Sequence, residues 1–561
     1  MIDRKIAYFS MEIGLENAIP TYSGGLGVLA GDTIRSAADL KIPMVAVTLL
    51  HRKGYFNQKL DSAGRQTEEP VNWSVEEYLH RESAQATVTI EGRTVKLQVW
   101  RYDVTSSGGH IVPVYLLDSS AAENSEWDRC LTDSLYGGER RYRLCQEVIL
   151  GIGGLRILRE LGYSDIKRYH LNEGHAALLT LELLREVKEK AKHKKTTDAD
   201  LEKVREQCVF TTHTPVPAGH DQFDVELAHS VLDEDVCNNG ERFCLDGVLN
   251  MTYLALELSD QVNGVAKKHS EISRFMFADY TIDSITNGVH AATWTSEPFQ
   301  RLYDKYIPGW KEDNFSLRSA FSIPNRGIWL AHEDAKCKLI DFVNETTDAD
   351  LDPDSLTIGF ARRSTPYKRA QLVFHNPDRL IKIAAKHGPI QFVFACKAHP
   401  ADGAGKQIIQ EIFKAKESLK GKIRIAYLPN YDMDLGLLLT SGVDVWLNNP
   451  IPPREASGTS GMKATLNGVP SLSILDGWWI EGCIEGLTGW SFGEAARDMN
   501  TPNHVDADAE SLYKKLEKDV VPVFYRRRDD FIRIMQHAIA LNGSFFNTQR
   551  MMLQYVMKAY F

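Results

Sequence analysis

Short apolar runs alternate with longer amphipathic segments along almost the whole chain, and this rhythm constrains the fold more than any other feature. The runs are rich in Val, Ile and Phe, and each ends in polar or charged residues. They are KIAYFSME, PMVAVTLL, TVKLQVWRYDV, VPVYLLD, KRYHLNE and QCVFTTHT in the first half, and SLTIGFARR, PIQFVFACKA, KIRIAYLP, DVWLNN and PSLSILDG in the second. Because this alternation is typical of βαβ units, we predict an α/β protein with largely parallel sheets.

The two series of strands predict two Rossmann-like domains that face a central cleft, since ligands collect at the carboxyl ends of strands in open α/β sheets. A chain of 561 residues also exceeds what one compact core normally contains. The Asn-Gly within SITNGVHAATW, at residues 284–294, indicates the boundary. We expect an N-terminal domain at 1–288, a C-terminal domain at 289–530 and a helical segment at 531–561.

Composition excludes several classes of partner. The formal charge of −10 argues against a nucleic-acid or anionic-membrane surface, because both need a clustered basic excess. The closest cysteines, Cys237 and Cys244, lack C-x2-C spacing, so we expect no structural metal. The sequence has neither a signal peptide pattern nor an apolar stretch for a membrane span. We therefore expect a cytoplasmic protein that binds a small molecule or a neutral polymer.

The first candidate anion site is the stretch TYSGGLGVLAGD, where Ser23, Gly24 and Gly25 precede an amphipathic helix. Glycines let backbone N–H groups approach a phosphate, and a helix N-terminus adds a partial positive charge. The spacing matches neither G-x-G-x-x-G nor G-x4-G-K-[ST], so it supports neither a dinucleotide fingerprint nor a P-loop. A tight turn without a ligand is the commoner explanation for such a cluster taken alone.

A second candidate lies in GFARRSTPYKRAQL, where four cations follow a predicted strand within eight positions: Arg362, Arg363, Lys368 and Arg369. Arginine suits bidentate binding of phosphate, and lysine adds a compact charge. A phosphate site is the interpretation that we favour. The alternative is ion pairing across the domains, for which Arg369 is the best candidate.

The third candidate is the stretch REASGTSGMKATLNG, which combines Glu455, Ser457, Gly458, Thr459 and Lys463. We expect Lys463 on the first turns of a helix, where the helix dipole disfavours a cation. A desolvated lysine among other cations has a lowered pKa and can form a Schiff base with an aldehyde cofactor. A surface lysine placed there by chance is the alternative.

Together these blocks resemble the α-glucan (glycogen/maltodextrin) phosphorylases of the short microbial type. The resemblance covers nearly the whole chain in collinear order, through YFSMEIGLENAIPTYSGGLGVLAGD, GYFNQK, YHLNEGHAAL, FTTHTPVPAGHD, NGVAKKHSEISR, ITNGVHAATW, RRSTPYKRAQL and REASGTSGMKATLNG. It implies a GT-B type glycosyltransferase fold whose C-terminal helices pack back on the first domain. It also implies a homodimer, which is the family's usual state.

The resemblance further implies pyridoxal 5′-phosphate as the cofactor, bound to Lys463 as a Schiff base. The residues that it assigns to the coenzyme are Lys463, Thr459, Arg362, Tyr431 and Trp294. Arg363 and Lys368 match the residues that bind inorganic phosphate, and with Lys463 they are the expected catalytic residues. The turn at Gly24 and Gly25 matches the glycine loop whose helix N-terminus faces that phosphate.

Substrate contacts follow from the same resemblance. Glu455, Ser457 and Gly458 resemble the contacts to the 3-hydroxyl of a glucosyl unit and its neighbours, and His213 and Asn287 resemble the contacts to the 6-hydroxyl. Leu26 is expected under the sugar ring. Glu173 and His175 match an acidic residue and a histidine that line the family's cleft. Taken singly, His175 and His213 are more often structural histidines.

The reaction that the resemblance implies is reversible phosphorolysis with retention. Phosphate attacks the non-reducing terminal glucosyl unit of an α-1,4-glucan, and α-glucose 1-phosphate leaves. In the family, the coenzyme's 5′-phosphate passes a proton through the substrate phosphate to the glycosidic oxygen. The paired carboxylates of glycoside hydrolases are then unnecessary. We expect a PLP-dependent glycosyltransferase of carbohydrate metabolism that uses glucan and phosphate.

The sequence departs from the long-chain members of this family at several points. It has Ser460-Gly461 where their pattern has Gly-Asn, and Asp432 where it has Arg, which removes a cation near the expected phosphate. It also begins almost at the first predicted strand, so regulation through an N-terminal extension is not expected. The alternative functions are a nucleotide-sugar glucosyltransferase of the same fold and a non-catalytic glucan-binding protein. A nucleotide-sugar enzyme has no need of a Schiff-base lysine.

Overall fold

The computed structural model describes residues 4–215, 219–233, 243–494 and 504–561. The strands of its first half are β1 Ile6–Ser10, β2 Met44–Leu49, β3 Asn57–Leu60, β4 Gln66–Glu69, β5 His80–Ile90, β6 Arg93–Thr105, β7 Ile111–Asp118, β8 Arg168–Asn172, β9 Cys208–Thr211, β10 Gln222–Asp224, β11 Cys244–Leu245, β12 Val248–Asn250, β13 Gln261–Gly264 and β14 Asp283–Ser284. The strands of its second half are β15 Leu356–Arg363, β16 Ile390–Lys397, β17 Arg424–Tyr427, β18 Val445–Asn448, β19 Ser471–Ile474 and β20 Gly489–Phe492.

Helices connect most of these strands. The α-helices are Gly25–Asp39, Val75–Tyr78, Glu126–Arg129, Arg140–Val148, Gly154–Glu160, Leu178–Ala191, Asp198–Arg205, Val225–Val231, Met251–Glu257, Lys267–Met276, Ala291–Trp294, Glu297–Tyr306, Asn325–Thr346, Pro377–His387, Gly403–Ser418, Met433–Gly442, Ser460–Thr465, Trp479–Gly482, Val505–Lys515, Val521–Arg526, Arg528–His537 and Thr548–Tyr555. The longer ones pack apolar faces against the sheets, where Leu, Ile, Val and Phe form the cores.

The first large sheet has the order β14-β13-β9-β8-β1-β2-β7-β6-β5. Its strands run parallel from β14 to β7, whereas β6 and β5 are antiparallel additions at one edge. The run TVKLQVWRYDV is therefore a strand, as predicted, but an antiparallel one. The reason is local: residues 106–110 reverse the chain between β6 and β7, and Glu91 and Gly92, with positive φ of 52° and 73°, form a two-residue hairpin turn between β5 and β6.

The second large sheet has the order β17-β16-β15-β18-β19-β20, and all of its described pairs are parallel. Its strands are almost fully buried, as expected for parallel strands that are covered on both faces. Strand β15 lies between two strands that follow it in the chain: β16 pairs with one edge of it and β18 with the other. This arrangement creates a crevice between the ends of β15 and β18.

The end of the chain contacts the first sheet. The Thr548 hydroxyl lies 2.6 Å from the Ser36 hydroxyl on helix Gly25–Asp39. Tyr560 approaches His170 on β8 at 2.6 Å, and its neighbour Tyr555 hydrogen-bonds Thr211 on β9 at 2.9 Å. Buried hydroxyl and imidazole groups thus join the last helix to strands that precede it by more than 300 residues.

The prediction of an α/β protein with largely parallel sheets is confirmed. In the described part of the chain, no helix is both long and apolar enough to span a bilayer. The described cysteines are all free thiols, and Cys237 lies outside the described residues. No group of three potential metal ligands occurs among the residues that the structure describes.

Candidate active site

A cleft of about 1330 Å³ is lined by residues that follow strands of both large sheets. Every residue that the sequence predicted for the site lines this cleft. The first half contributes Gly24, Gly25, Leu26, Glu173, His175, His213 and Asn287; the second half contributes Trp294, Arg362, Arg363, Lys368, Tyr431, Glu455, Ser457, Gly458, Thr459 and Lys463. The two sets meet because both groups of strands point their carboxyl ends at the same space.

Lys463 is buried in this cleft, with 5% of its surface exposed. Its ammonium lies 3.4 Å from the centre of the Trp294 ring, whose N–H donates to Asp32 at 2.7 Å. Burial lowers the pKa of Lys463 to about 8, although the Asp32 carboxylate opposes the shift. A larger fraction of the amine is therefore neutral and nucleophilic than in a surface lysine.

The helix dipole does not explain this amine, contrary to the sequence-based argument. The helix that carries Lys463 spans only Ser460–Thr465, so the lysine belongs to its last turn as much as to its first. Ser460, one of the departures from the long-chain pattern, accepts a hydrogen bond from the buried Trp446 indole at 3.1 Å. The unusual property of Lys463 is thus its burial.

One carboxylate forms ion pairs with two of the predicted cations. Glu455 accepts from Arg362 Nη2 at 2.7 Å and from Lys368 Nζ at 3.0 Å. Burial alone would raise the pKa of Glu455, but the two cations outweigh burial and lower it to about 2. Burial and the Arg362 charge lower the pKa of Lys368 to about 7, despite Glu455. Both cations therefore depend on this single acid.

Asp476, which was not predicted from the sequence, holds the backbone of Glu455 in place. Its carboxyl accepts from the backbone N–H of Glu455 at 2.8 Å and of Gly477 at 2.9 Å. Burial raises the pKa of Asp476 to about 8, and the charge on Glu455 adds to the shift. Gly477 has a φ of 54°, and a Cβ there would lie 2.4 Å from the Ser457 carbonyl. This turn fixes the loop that carries Glu455 and Ser457.

Several buried polar atoms in the cleft have no hydrogen-bond partner among the described residues. They include Arg362 Nη1, Ser457 Oγ and Asn287 Oδ1. Buried polar groups are almost always satisfied in native proteins. All three residues line the cleft, so a polar ligand there is one way to satisfy them.

The glycine loop opens onto the same cleft. Glu12, which sequence analysis missed, accepts from the backbone N–H of Ser23 at 2.6 Å and from the Tyr136 hydroxyl at 2.8 Å. A Cβ at Gly24 or Gly25 would meet no atom within 4 Å. Packing therefore does not require these glycines, and the missing side chains leave space for a ligand beside the start of helix Gly25–Asp39.

The histidines at the ends of β8 and β9 are neutral at pH 7. His213 contacts Asn172 at 2.7 Å, and burial lowers its pKa to about 4. His175 lies 3.0 Å from Arg143 Nη2, and burial followed by this cation lowers its pKa to about 4. Glu173 joins the two loops by accepting from the His213 N–H at 2.8 Å.

Two further predictions have clear outcomes. Arg369 forms an ion pair with Asp508 at 2.8 Å, and both residues lie in the second half of the chain. Asp432, the departure that removes a cation, lines the cleft and caps helix Met433–Gly442 by accepting from the Leu435 N–H at 2.8 Å. An acid at this position therefore has a local structural role that an arginine could not fill.

Sequence analysis also missed Tyr136, Arg143 and Lys397, which line the cleft. Lys397 directly follows a recognised apolar run, so its position at a strand end was a usable signal. Tyr136 and Arg143 belong to no recognised block.

Glu455→Gln should leave two buried cations without their counter-ion. Breaking a buried pair from one side costs about 3–5 kcal/mol, so we expect a lower melting temperature. Inorganic phosphate should then raise the melting temperature of Glu455→Gln more than that of the wild type. Asp508→Asn, which breaks the Arg369 pair outside the cleft, is the matched control and should show no extra rescue. Equal effects of phosphate on all three proteins would contradict this interpretation.

Comparison with known proteins agrees with the geometry. A family model described as carbohydrate phosphorylase matches residues 244–549. Maltodextrin phosphorylase of Thermococcus litoralis is 38% identical over 602 aligned positions, covering 100% of this chain and 70% of the relative. Glycogen phosphorylases of Mycobacterium tuberculosis and Aquifex aeolicus are each 36% identical, covering 98% and 99% of this chain and 70% and 86% of the relatives. The chain belongs to the carbohydrate phosphorylase family.

Proposed function

We propose that this protein catalyses reversible phosphorolysis of glycogen or maltodextrin. Phosphate takes the non-reducing terminal α-1,4-linked glucose and releases α-glucose 1-phosphate, with retention of configuration. The observation that carries the proposal is the excess of cations over carboxylates in the cleft. Arg362 and Lys368 share Glu455, while Arg363 has no ion pair within the described residues. Charge-assisted hydrogen bonds from such groups favour phosphate.

Pyridoxal 5′-phosphate is the cofactor that we propose for the cleft. Lys463 offers a buried amine with a lowered pKa, and Arg362 Nη1 is a buried donor without a partner. The Lys463 amine can react with the aldehyde of the coenzyme, and Arg362 Nη1 can donate to its phosphate, so the residues fit this coenzyme. Thr459, Tyr431 and Trp294 are proposed to complete its binding. When bound, the coenzyme supplies a second phosphate group that can exchange a proton with the substrate.

The proposed reaction breaks the bond from C1 of the terminal glucose to the glycosidic oxygen and forms a bond from C1 to phosphate. The leaving oxygen takes up a proton from the attacking phosphate. Arg363 and Lys368 orient the phosphate and stabilise the charge that develops around it. The backbone at Gly24 and Gly25 leaves room for that phosphate and offers N–H donors.

Glu455 links phosphate binding to sugar binding in this scheme. In the structure its carboxylate accepts hydrogen bonds from Arg362 and Lys368. A phosphate that binds these cations weakens their attraction for Glu455, which becomes available to sugar hydroxyls. The residues proposed to contact the glucosyl unit are Glu455, Ser457, Gly458, His213, Asn287 and Leu26, with Glu173 and His175 further along the cleft.

The finer architecture is part of the same proposal. We divide the chain into Rossmann-like domains at 1–288 and 289–530, facing the cleft as in a GT-B fold, with helices at 531–561 that return to the first domain. Contacts of Thr548, Tyr555 and Tyr560 with the first half support the return of the last helix. A cytoplasmic location and a homodimer remain predictions.

A nucleotide-sugar glucosyltransferase is the alternative from the sequence, and the relatives do not favour it because they are named phosphorylases. Transfer of glucose from a nucleotide sugar also does not require the buried amine of Lys463. Uridine diphosphate glucose in place of glucose 1-phosphate should therefore not support chain elongation by the protein.

Lys463→Ala should abolish coenzyme retention and activity together, because the amine is the proposed attachment point. The measurements are the absorbance of bound pyridoxal and the phosphate-dependent release of glucose 1-phosphate from maltodextrin, with coenzyme supplied. Lys382→Ala, which removes an exposed lysine on helix Pro377–His387, is the matched control. Unchanged turnover in Lys463→Ala would overturn the assignment.

Arg363→Ala should raise the KM for phosphate by about tenfold or more, since a charged hydrogen bond contributes about 1.5–3 kcal/mol. The KM for maltodextrin should change by less than about twofold, because Arg363 is proposed to bind phosphate alone. Arg326→Ala removes an exposed arginine and controls for net charge. If Arg363→Ala weakened maltodextrin binding as much as phosphate binding, Arg363 would have to be reassigned to the sugar.

A further inference from the structure

Two cations stand side by side at the carboxyl ends of β15 and β16. Arg363 and Lys397 are the last residues of these strands and are direct partners in their parallel register. Directly paired residues on neighbouring strands project their side chains to the same face. Both residues line the cleft. Their charges therefore lie on the same face of the strand ends.

Neither cation has a carboxylate of its own. In the described ranges, Arg363 forms no ion pair, and the Lys397 amine donates to the Phe56 carbonyl at 2.8 Å. The Lys397 amine also lies 4.6 Å from the centre of the Phe56 ring and 5.9 Å from that of Tyr55. The Glu12 charge acts on Arg363 and the Asp432 charge acts on Lys397, but neither acid forms an ion pair with its cation among the described residues.

The other cations on this side of the cleft differ in this respect. Arg362 and Lys368 have Glu455, and Arg369 has Asp508. Burial lowers the pKa of Lys397 to about 8, against the opposing charge of Asp432. An anion in the cleft can pair with Arg363 and Lys397 without displacing either cation from an ion pair among the described residues.

A hairpin from the first half of the chain fixes the position of Lys397. Gln58 on β3 donates to the Cys396 carbonyl at 2.8 Å, and Gln66 on β4 donates to the Ala398 carbonyl at 2.8 Å and accepts from the Ala398 N–H at 3.0 Å. These two glutamines are only 1% and 6% exposed, and they contact the residues on either side of Lys397. The strand end is thus ordered before a ligand arrives, which reduces the cost of binding.

We propose that Lys397 is a second cationic ligand, beside Arg363, for a phosphate group in the cleft. Its amine has two N–H donors beyond the one given to Phe56, enough to contact two phosphate oxygens. The inference rests on the proposed function for the identity of the anion. The phosphate can come from inorganic phosphate or from the coenzyme, and the recognition chemistry is the same.

Calorimetric titration of inorganic phosphate into the coenzyme-loaded protein, at constant ionic strength, tests this role. Lys397→Met removes the amine but keeps an apolar stem, whereas Lys397→Arg keeps the charge. Lys59→Met is the matched control, because Lys59 is an exposed lysine on the same hairpin that lies 3.7 Å from Glu69. Bound coenzyme is measured in each protein by its absorbance. If Lys397→Met does not fold, as judged by circular dichroism, Lys397→Gln replaces it.

The expected result for Lys397→Met is a Kd for inorganic phosphate raised about tenfold, with full coenzyme content. Lys397→Arg should stay within about threefold of the wild type, and Lys59→Met should match it. Coenzyme loss in Lys397→Met alone would assign Lys397 to the coenzyme phosphate instead. Unchanged phosphate affinity and unchanged coenzyme content would overturn the proposal. A wild type that binds phosphate but releases no glucose 1-phosphate would refute the proposed function and leave the role of Lys397 intact.

Discussion

The candidate site depends on one electrostatic constraint: more positive charge converges on the cleft than the neighbouring carboxylates can neutralise. Glu455 alone serves Arg362 and Lys368, and Arg363 and Lys397 have no ion pair in the described part of the chain. The chain as a whole carries a formal charge of −10, so this excess is local. Lys397 is half-buried, and a cation in such a position without an ion pair costs free energy. Binding of phosphate groups offsets that cost, and this is why the site favours phosphate chemistry.

The fold explains how these charges meet. In the first sheet β1 lies between β2 and β8, and in the second sheet β15 lies between β16 and β18. The connections to the strands on the two sides of such a central strand run in opposite directions. This opens a crevice at the carboxyl ends of the strands. Glu12 and Glu173 follow strands at the first crevice. At the second, Arg362 lies at the end of β15 and Glu455 follows β18. Residues separated by hundreds of positions therefore line one cleft.

Much of this was predictable from sequence, for a physical reason. The parallel strands are buried on both faces, so they appear as apolar runs of Val, Ile and Phe, and each of the runs in the second half is a strand. Polar residues directly after such runs had to lie at the sheet edge. The candidate residues of the cleft were identified from the same blocks and from the family resemblance.

Other features could not be predicted because they depend on contacts between distant residues. Gln58 and Gln66 look like exposed polar residues in the sequence, yet they are buried against backbone groups of residues 396 and 398. The sequence around Asp476 contains no motif that indicates its contact with the backbone of Glu455. The run at β6 indicates a strand but not its direction, which the short connections to β5 and β7 decide. The pairing of Arg369 was predicted, but its partner Asp508 was not.

The most direct test of the account is a crystal structure of the coenzyme-loaded protein at saturating inorganic phosphate. The account predicts a tetrahedral anion within hydrogen-bond distance of Arg363 and Lys368, with Glu455 turned away from at least one of its two cations. It would be contradicted if Glu455 still bridged Arg362 and Lys368 and no anion occupied the cleft. In that case the positive charge would serve the folded structure and not a phosphate ligand.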